Sequence, residues 1–335
     1  MYIVSSLEGP RGNITYVGNH YTPPPCWRIT HYLGLEKSRN RIYKALNLDE
    51  KNSSLLFTGA NMDNLAVATK EYKSLKVVVI ATAGVESNAM RMSKDVGSYF
   101  EPGTINMIIL SNAKLTKRAM TRAIITATEA KTAALNDLDI RSSYNPLKYQ
   151  ATGTGTDNII VVQGDGEMVL HNAGGHSKLG ELIARAVYDA VTEAISKQNK
   201  IIFNRNIFKR LKERYINIYD IIYKSPIIPT YKKNQYIKEM EGLLLTPEYA
   251  SVFDEFLILS DQYENGRIYN LSMLRKLAKH IASSIAMNNN IKIKSYVNDK
   301  SIPLPIRICI DSMLSGISDK FNNIKHMSTN KSNLN

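Results

Sequence analysis

The residues best suited to chemistry crowd into positions 151–178 of this 335-residue chain. ATGTGTDNIIVV (151–162) sets Gly153, Thr154, Gly155, Thr156 and Asp157 directly ahead of an apolar, β-branched run. The glycines let backbone approach a ligand, and the threonine hydroxyls offer donors or a nucleophile. Asp157 could orient a base, accept a proton or bind a cation. The same turn could also be built by local side-chain-to-backbone bonds alone. It is not a phosphate loop: the GxxxxGK[ST] spacing is absent, and a strand follows where a helix should. A Gly164-Asp165-Gly166 turn and a short second strand then lead to Gly174, Gly175, His176, Ser177 and Lys178 at the mouth of a helix. Free N–H groups and the dipole at such a terminus make a seat for an oxyanion. Ser177 suits the N-cap, Lys178 adds charge, and His176 could act as general base or acid near neutral pH. A hairpin joining the two loops would place them side by side.

Two more polar residues stand out by position. Glu129 falls in the middle of a small-residue stripe (Ala119, Ala123, Ala127, Ala130, Ala134, Leu138) on a helix predicted over 116–138. If buried it needs a partner or a raised pKa; pointing sideways, it is merely solvated. Asn88, in a loop after the apolar run KVVVIAT (76–82), could donate to a carbonyl oxygen or close an Asx turn.

The elements that must position these groups follow from periodicity. Residues 76–82 and 104–110 read as strands buried on both faces, with shorter strands at 2–5, 13–17, 54–58 and 159–162. Pro23, Pro24 and Pro25 break regular structure, and Asp63 is placed to cap a helix carrying Leu65, Ala66 and Val67. The helix after Ser177 is amphipathic through Leu179, Leu182, Ile183, Ala186 and Val187. These elements predict an α/β domain over 1–199: a mixed β-sheet of six or seven strands with packed helices and a site at strand ends. Beyond residue 200, Lys, Asn, Ile and Tyr dominate. Helical stretches near 203–223, 247–262, 271–288 and 305–322 predict a mostly α-helical C-terminal extension over 200–327, with 328–335 a disordered tail.

Composition narrows the classes. Hydrophobic residues at 44% and charged residues at 22% lie in the globular range. No apolar run reaches the ~18 residues of a membrane span, and MYIVSSLEGPRG lacks the features of a secretory signal. Cys26 and Cys309, with no CxxC, argue against a disulfide framework or thiolate zinc site and for a reducing cytoplasm. The net charge of +13 is uneven: residues 200–335 hold 21 Lys+Arg against 12 Asp+Glu. That half would suit an acidic partner, but a solvated lysine-rich surface is the simpler account, so nucleic acid is not the expected partner.

TAGVESNAMR (82–91), GTINMIIL (103–110), RAIITATEAKTAALNDLDI (122–140), ATGTGTDNIIVVQGDG (151–166) and GGHSKLGELIARAV (174–187) together resemble adenosylcobinamide amidohydrolases. The resemblance covers about 1–199, most tightly 77–198. It implies cleavage of the amide joining the corrin's propionyl side chain to aminopropanol, giving adenosylcobyric acid and 1-amino-2-propanol for coenzyme B12 salvage. The implied partner is the small-molecule corrinoid adenosylcobinamide; no cofactor is expected, and no cysteine–histidine cluster demands a transition metal. Amide hydrolysis needs an activated nucleophile, oxyanion donors and an acid for the amine. Residue chemistry offers His176 or Glu129 to activate water, Asp157 to orient His176, and N–H groups at 174–177 with Asn88 to hold the oxyanion. Thr154 or Thr156 as covalent nucleophile is the rival. Gly153, Gly155, Gly174, Gly175, Ser177 and Lys178 would contact substrate. A metal would need Asp157, Glu129 and His176 together. From another class, a corrinoid- or nucleotide-binding module without catalysis would use the same loops. The C-terminal extension could cover the site, join two copies into a homo-oligomer or dock on another salvage or uptake protein.

Overall fold

The computed structural model describes residues 1–97 and 103–332. They fall into two compact units, Met1–Asn145 with Gln150–Phe203, and Pro146–Tyr149 with the chain from Asn204 onward.

In the first unit β1 (Ile3–Ser5), β2 (Gly9–Arg11) and β3 (Tyr16–Tyr21) precede α1 (Pro24–Leu33) and α2 (Leu35–Ala45). The three prolines open a helix rather than break one, because proline's fixed φ suits the first helical position, where its missing N–H costs nothing. Next come β4 (Ser53–Thr58), β5 (Ala66–Tyr72), β6 (Leu75–Ala83) and β7 (Ala89–Met90), then β8 (Ile105–Ser111), β9 (Lys114–Leu115) and α3 (Lys117–Asp137). The unit closes with β10 (Gly153–Thr154), β11 (Asn158–Val162), β12 (Val169–Leu170) and α4 (Lys178–Asn199). The helix predicted after Asp63 is instead a single 3-10 turn, capped by the Asn61 side chain, that runs into β5. Ala66 and Ala68 are buried while Val67 and Thr69 are exposed, so the period there is two.

Six strands form one mixed sheet in the order β2-β1-β11-β8-β6-β5. Only the β8–β11 pair is parallel. Both faces of its centre are covered, which explains the unbroken apolar runs. Met107, Ile109, Ile159 and Val161 face α3 and α4. Ile108, Ile160 and Val162 pack with Ile14 and Leu56, the latter on the parallel β3–β4 pair. The alanine stripe of α3 (Ala119, Ala123, Ala127, Ala134) is fully buried. The expected hairpin is not formed: β12 pairs with β9, not with β11.

The second unit is helical. It comprises α5 (Ile207–Glu213), α6 (Ile218–Lys224), α7 (Lys233–Leu245), α8 (Pro247–Glu264), α9 (Ser272–Ala286) and α10 (Leu304–Ser332) around a core that includes Phe253, Phe256, Tyr296 and Met313. The stretch 203–223 is two short helices, α7 went unforeseen, and α10 continues through 328–332, where composition predicts disorder; 333–335 lie outside the described residues. No helix among the described residues is long and apolar enough to cross a membrane.

Two helical glycines here make opposite predictions. A Cβ on Gly316 would lie 2.8 Å from Ile285 Cβ and 2.9 Å from Ala282 O, at a close crossing of α9 and α10. A Cβ on Gly242, in α7, would meet nothing. Gly316→Ala should cost about 1–3 kcal/mol through overpacking, and Gly242→Ala should gain roughly 0.5–1 kcal/mol. Denaturant midpoints of the two variants should therefore move in opposite directions.

Candidate active site

The loop at 153–157 is organised by one carboxylate. Asp157 Oδ1 accepts from the Ile105 backbone N–H (3.0 Å) and the Thr154 hydroxyl (2.5 Å). Its Oδ2 accepts from the Thr154 N–H (3.1 Å) and from the Lys131 ammonium of α3. Four donors match the lone-pair capacity of an ionised carboxylate. One side chain thereby ties together the start of β8, the loop before β11 and the face of α3. Both members of the ion pair are nearly buried, with 8% of the Lys131 and 13% of the Asp157 side chain exposed. Glycine is required at 153 because a Cβ there would sit 2.6 Å from both Asp157 Oδ2 and Lys131 Nζ.

The neighbouring loops join this arrangement. β7 pairs with β10, so the segment holding Asn88 lies against Gly153 and Thr154. Asn88 Nδ2 donates to Gly103 O (2.8 Å) and to Thr156 Oγ1 (3.3 Å), and its Oδ1 accepts a long bond from Tyr144 (3.5 Å). Thr156 Oγ1 donates to Gly103 O (2.8 Å) and lies 2.7 Å from Thr104 Oγ1. The structure thus gathers Asn88, Gly153, Thr154, Gly155, Thr156 and Asp157. The Asn88 amide is occupied in cross-linking loops, however, rather than aimed outward as an oxyanion donor.

A cleft of about 560 Å³ opens onto this assembly. Thr104, Gly155, Thr156, Asp157 and Asn158 form one wall, while Trp27, Thr30, Ser38, Arg39 and Ile42 come from α1 and α2, with Thr22, Phe57 and Thr58 from the β3–β4 side. Asn106 of β8 clamps the strand pair, donating to Asn19 Oδ1 (2.9 Å) and Phe57 O (2.8 Å), and Asn19 donates to Thr82 (2.8 Å). Arg39 is fixed by Glu8 (3.1 Å) and Glu50 (2.5 Å). Thr154, 1% exposed, lies behind the wall and is not part of its lining.

The remaining predicted residues are elsewhere. α4 ends where Asn199 Oδ1 accepts from Val85 N (3.1 Å), beside the site loops. Its other end holds Lys178, whose Nζ stands 4.6 Å from the Tyr72 ring centroid at the far turn of the β5–β6 hairpin. A 22-residue helix at about 1.5 Å per residue spans roughly 33 Å. Gly174, Gly175, His176, Ser177 and Lys178 therefore lie at the opposite end of the sheet from Asp157. Ser177 caps α4, accepting from Gly180 N (3.1 Å), and Lys178 pairs with Glu181 (2.5 Å). His176 and Glu129 are both exposed. The Asp157–His176 pairing and the Asp157–Glu129–His176 metal set are thus corrected: His176 lies at the other end of α4, Glu129 is exposed on α3, and Asp157 is partnered by Lys131.

Sequence reasoning missed Lys131, Thr104, the α1–α2 wall, and the imidazole beside the cleft. Lys131 had a signal, since it follows Ala127 by four residues and so shares its helix face. His20 Nδ1 lies 3.5 Å from Thr22 Oγ1, with its ring 5.9 Å from Phe57. Burial holds the His20 pKa below the ordinary histidine value.

Thr104, Thr156 and Asp157 thus meet at a cleft beside strand ends, the position where α/β domains commonly place a ligand site. The particular family follows from sequence comparison. The model of the adenosylcobinamide amidohydrolase family matches residues 1–202, and the chain belongs to that family. An uncharacterized protein of Methanocaldococcus jannaschii is 44% identical over 217 residues, covering 59% of this chain and 83% of the relative. A protein of Methanosarcina mazei named adenosylcobinamide amidohydrolase is 32% identical over 163 residues, covering 48% and 67%. A solved structure from Pyrococcus horikoshii OT3 covers 43% of this chain and 40% of its own at 15% identity with a TM-score of 0.22.

Breaking a buried ion pair from one side strands the other charge. Lys131→Met should cost about 3–5 kcal/mol of stability, and adding Asp157→Asn should recover part of that loss. Strict additivity of the two changes in a denaturation cycle would contradict the coupling.

Proposed function

We propose that the first unit hydrolyses the amide of adenosylcobinamide, releasing 1-amino-2-propanol and adenosylcobyric acid in corrinoid salvage. The observation that carries this reading is the convergence of Thr104, Gly155, Thr156 and Asp157 on one cleft inside the region that matches the family. A corrinoid is larger than a cleft of about 560 Å³, so the cleft takes the amide-bearing arm and leaves the ring outside. The cleft's chemistry suits that arm. Its neutral hydroxyls can hydrogen-bond a carbonyl and an amide N–H, while Trp27, Ile42 and Phe57 supply apolar contact for the alkyl stem.

Roles follow from the contacts. Asp157, with all four acceptor positions used, is a positioning residue that fixes the wall through Lys131, Thr154 and Ile105. Thr104 and Thr156 present hydroxyls where the scissile amide would lie. Thr154 donates to a carboxylate but lies behind the lining, and Thr156 faces the cleft but gives its proton to a carbonyl. Neither combines access with a base, and that weakens both as nucleophiles.

Incubating purified full-length protein with adenosylcobinamide should release 1-amino-2-propanol. Binding without release would favour the non-catalytic corrinoid module instead. Thr156→Val should lose about 1.5–3 kcal/mol of transition-state stabilisation, roughly ten- to a hundredfold in kcat/KM. His176→Ala, at the far end of the sheet, should turn over like the parent; a hundredfold loss there would overturn the placement of the site.

A further inference from the structure

Hydroxyl groups on the cleft wall differ in what they face. Thr30 Oγ1 donates to Cys26 O, Thr58 Oγ1 accepts from Ala60 N, and Thr104 and Thr156 bond each other. Thr22 is different: the partner of its hydroxyl is a titratable base, the Nδ1 atom of His20 at 3.5 Å. Two residues apart at the end of β3, the two side chains lie on the same face of an extended segment. The backbone there is fixed, since Thr22 N donates to Thr58 O (2.8 Å) and His20 is in register with Phe57 of β4. Phe57 itself lines the cleft and its ring lies against the imidazole. Among the histidines whose side chains the structure describes, His171 and His176 belong to the far end of the sheet and His280 to the second unit.

We propose that Thr22 and His20 are the nucleophile–base pair of this cleft, a proposal that rests on the amidohydrolase reading above. The chemistry balances with water as the second substrate. Thr22 Oγ attacks the amide carbonyl carbon while its proton passes to His20 Nδ1. The tetrahedral adduct collapses, the C–N bond breaks, and the departing amine takes the proton from the imidazolium. The acyl group is then an ester on Thr22. Water adds to it as His20 accepts the water's proton, and the C–O bond to Thr22 breaks as that proton returns to Oγ. A contact of 3.5 Å is long for proton transfer, but nucleophile–base contacts in unliganded sites are often loose and tighten around substrate. Desolvation by burial favours the neutral, base form of His20 at neutral pH.

The test uses the full-length protein and aminopropanol release from adenosylcobinamide. Thr22→Val keeps the shape and removes the nucleophile; kcat should fall at least a thousandfold with KM within about threefold. Thr22→Ser restores a hydroxyl and should stay within about tenfold of the parent, which guards against a folding artefact. His20→Ala should lose roughly 10²–10⁴ in kcat and regain part of it with added imidazole. Hydroxylamine added during turnover should divert the ester to a corrinoid hydroxamate in the parent and not in Thr22→Val. A folded Thr22→Val enzyme turning over within tenfold of the parent, or a parent that forms no hydroxamate, overturns the pair. A parent that releases no aminopropanol at all removes the amidohydrolase reading itself, which is a separate result.

Discussion

The arrangement around the cleft depends on where the Asp157 carboxylate goes. In a buried setting a carboxylate must be matched by donors or it is severely destabilised. Here the match comes from three different elements: the N–H of Ile105, the backbone and hydroxyl of Thr154, and the ammonium of Lys131. None of these can move without orphaning the others. The constraint fixes the loop before β11 against the start of β8, and that in turn sets Thr156 beside Thr104 and Gly103. An isolated ion pair of this kind adds little net stability compared with apolar packing; what it supplies is a single geometry. Gly153 follows as a consequence, because any side chain there would occupy the space of the two charges.

This constraint can act only because the sheet behind it is rigid on both faces. The helices on one face and the β3–β4 pair on the other enclose β8 and β11, and the alternation along each strand divides its side chains between the two cores. The β3–β4 pair is more than a cover. It carries Thr22 and Phe57 to the cleft, and its link to β8 through Asn19 and Asn106 holds that wall at a fixed distance from Thr104 and Thr156. Asn106 is itself 1% exposed; both its clamp bonds are made by Nδ2, while its Oδ1 is buried without a partner.

What could be read from the sequence was what periodicity and local chemistry determine. The strands at 76–82 and 104–110 and the helices after Thr116 and Ser177 are strongly patterned, and the second helix begins at the Ser177 cap that its sequence suggests. The loop residues 153–157 were legible as a group because glycine, hydroxyl and carboxylate together are rarely needed for a turn alone. The expected pairing of Asp157 with His176 failed because it rested on a hairpin that does not form. A Gly-Asp-Gly turn between two apolar runs is a hairpin signal, yet here the second run pairs with β9, and pairing partners far apart in sequence are invisible to local pattern. Glu129 and Lys131 illustrate the same limit at finer scale. They are two residues apart on α3, where a rotation of about 200° separates their directions; the ammonium, not the carboxylate, is the charge on the buried face.

Sheet topology also explains why the site is where it is. In an open parallel sheet a ligand crevice forms outside the carboxyl ends of the strands. Here β6 runs antiparallel to β8, so the carboxyl end of β6 and the amino ends of β8 and β11 lie at the same edge. The loop leaving β6 brings Asn88; the segments entering β8 and β11 bring Thr104 and residues 153–157. An entering segment is pinned by what its own strand needs: Ile105 N finds its acceptor in Asp157 where the β8–β11 ladder begins. The first hydrogen bond of one strand is thus made by a residue at the root of its neighbour. Sheet closure and site assembly are therefore the same event, and a chain that has formed the β8–β11 pair in register has already placed the polar wall of its cleft.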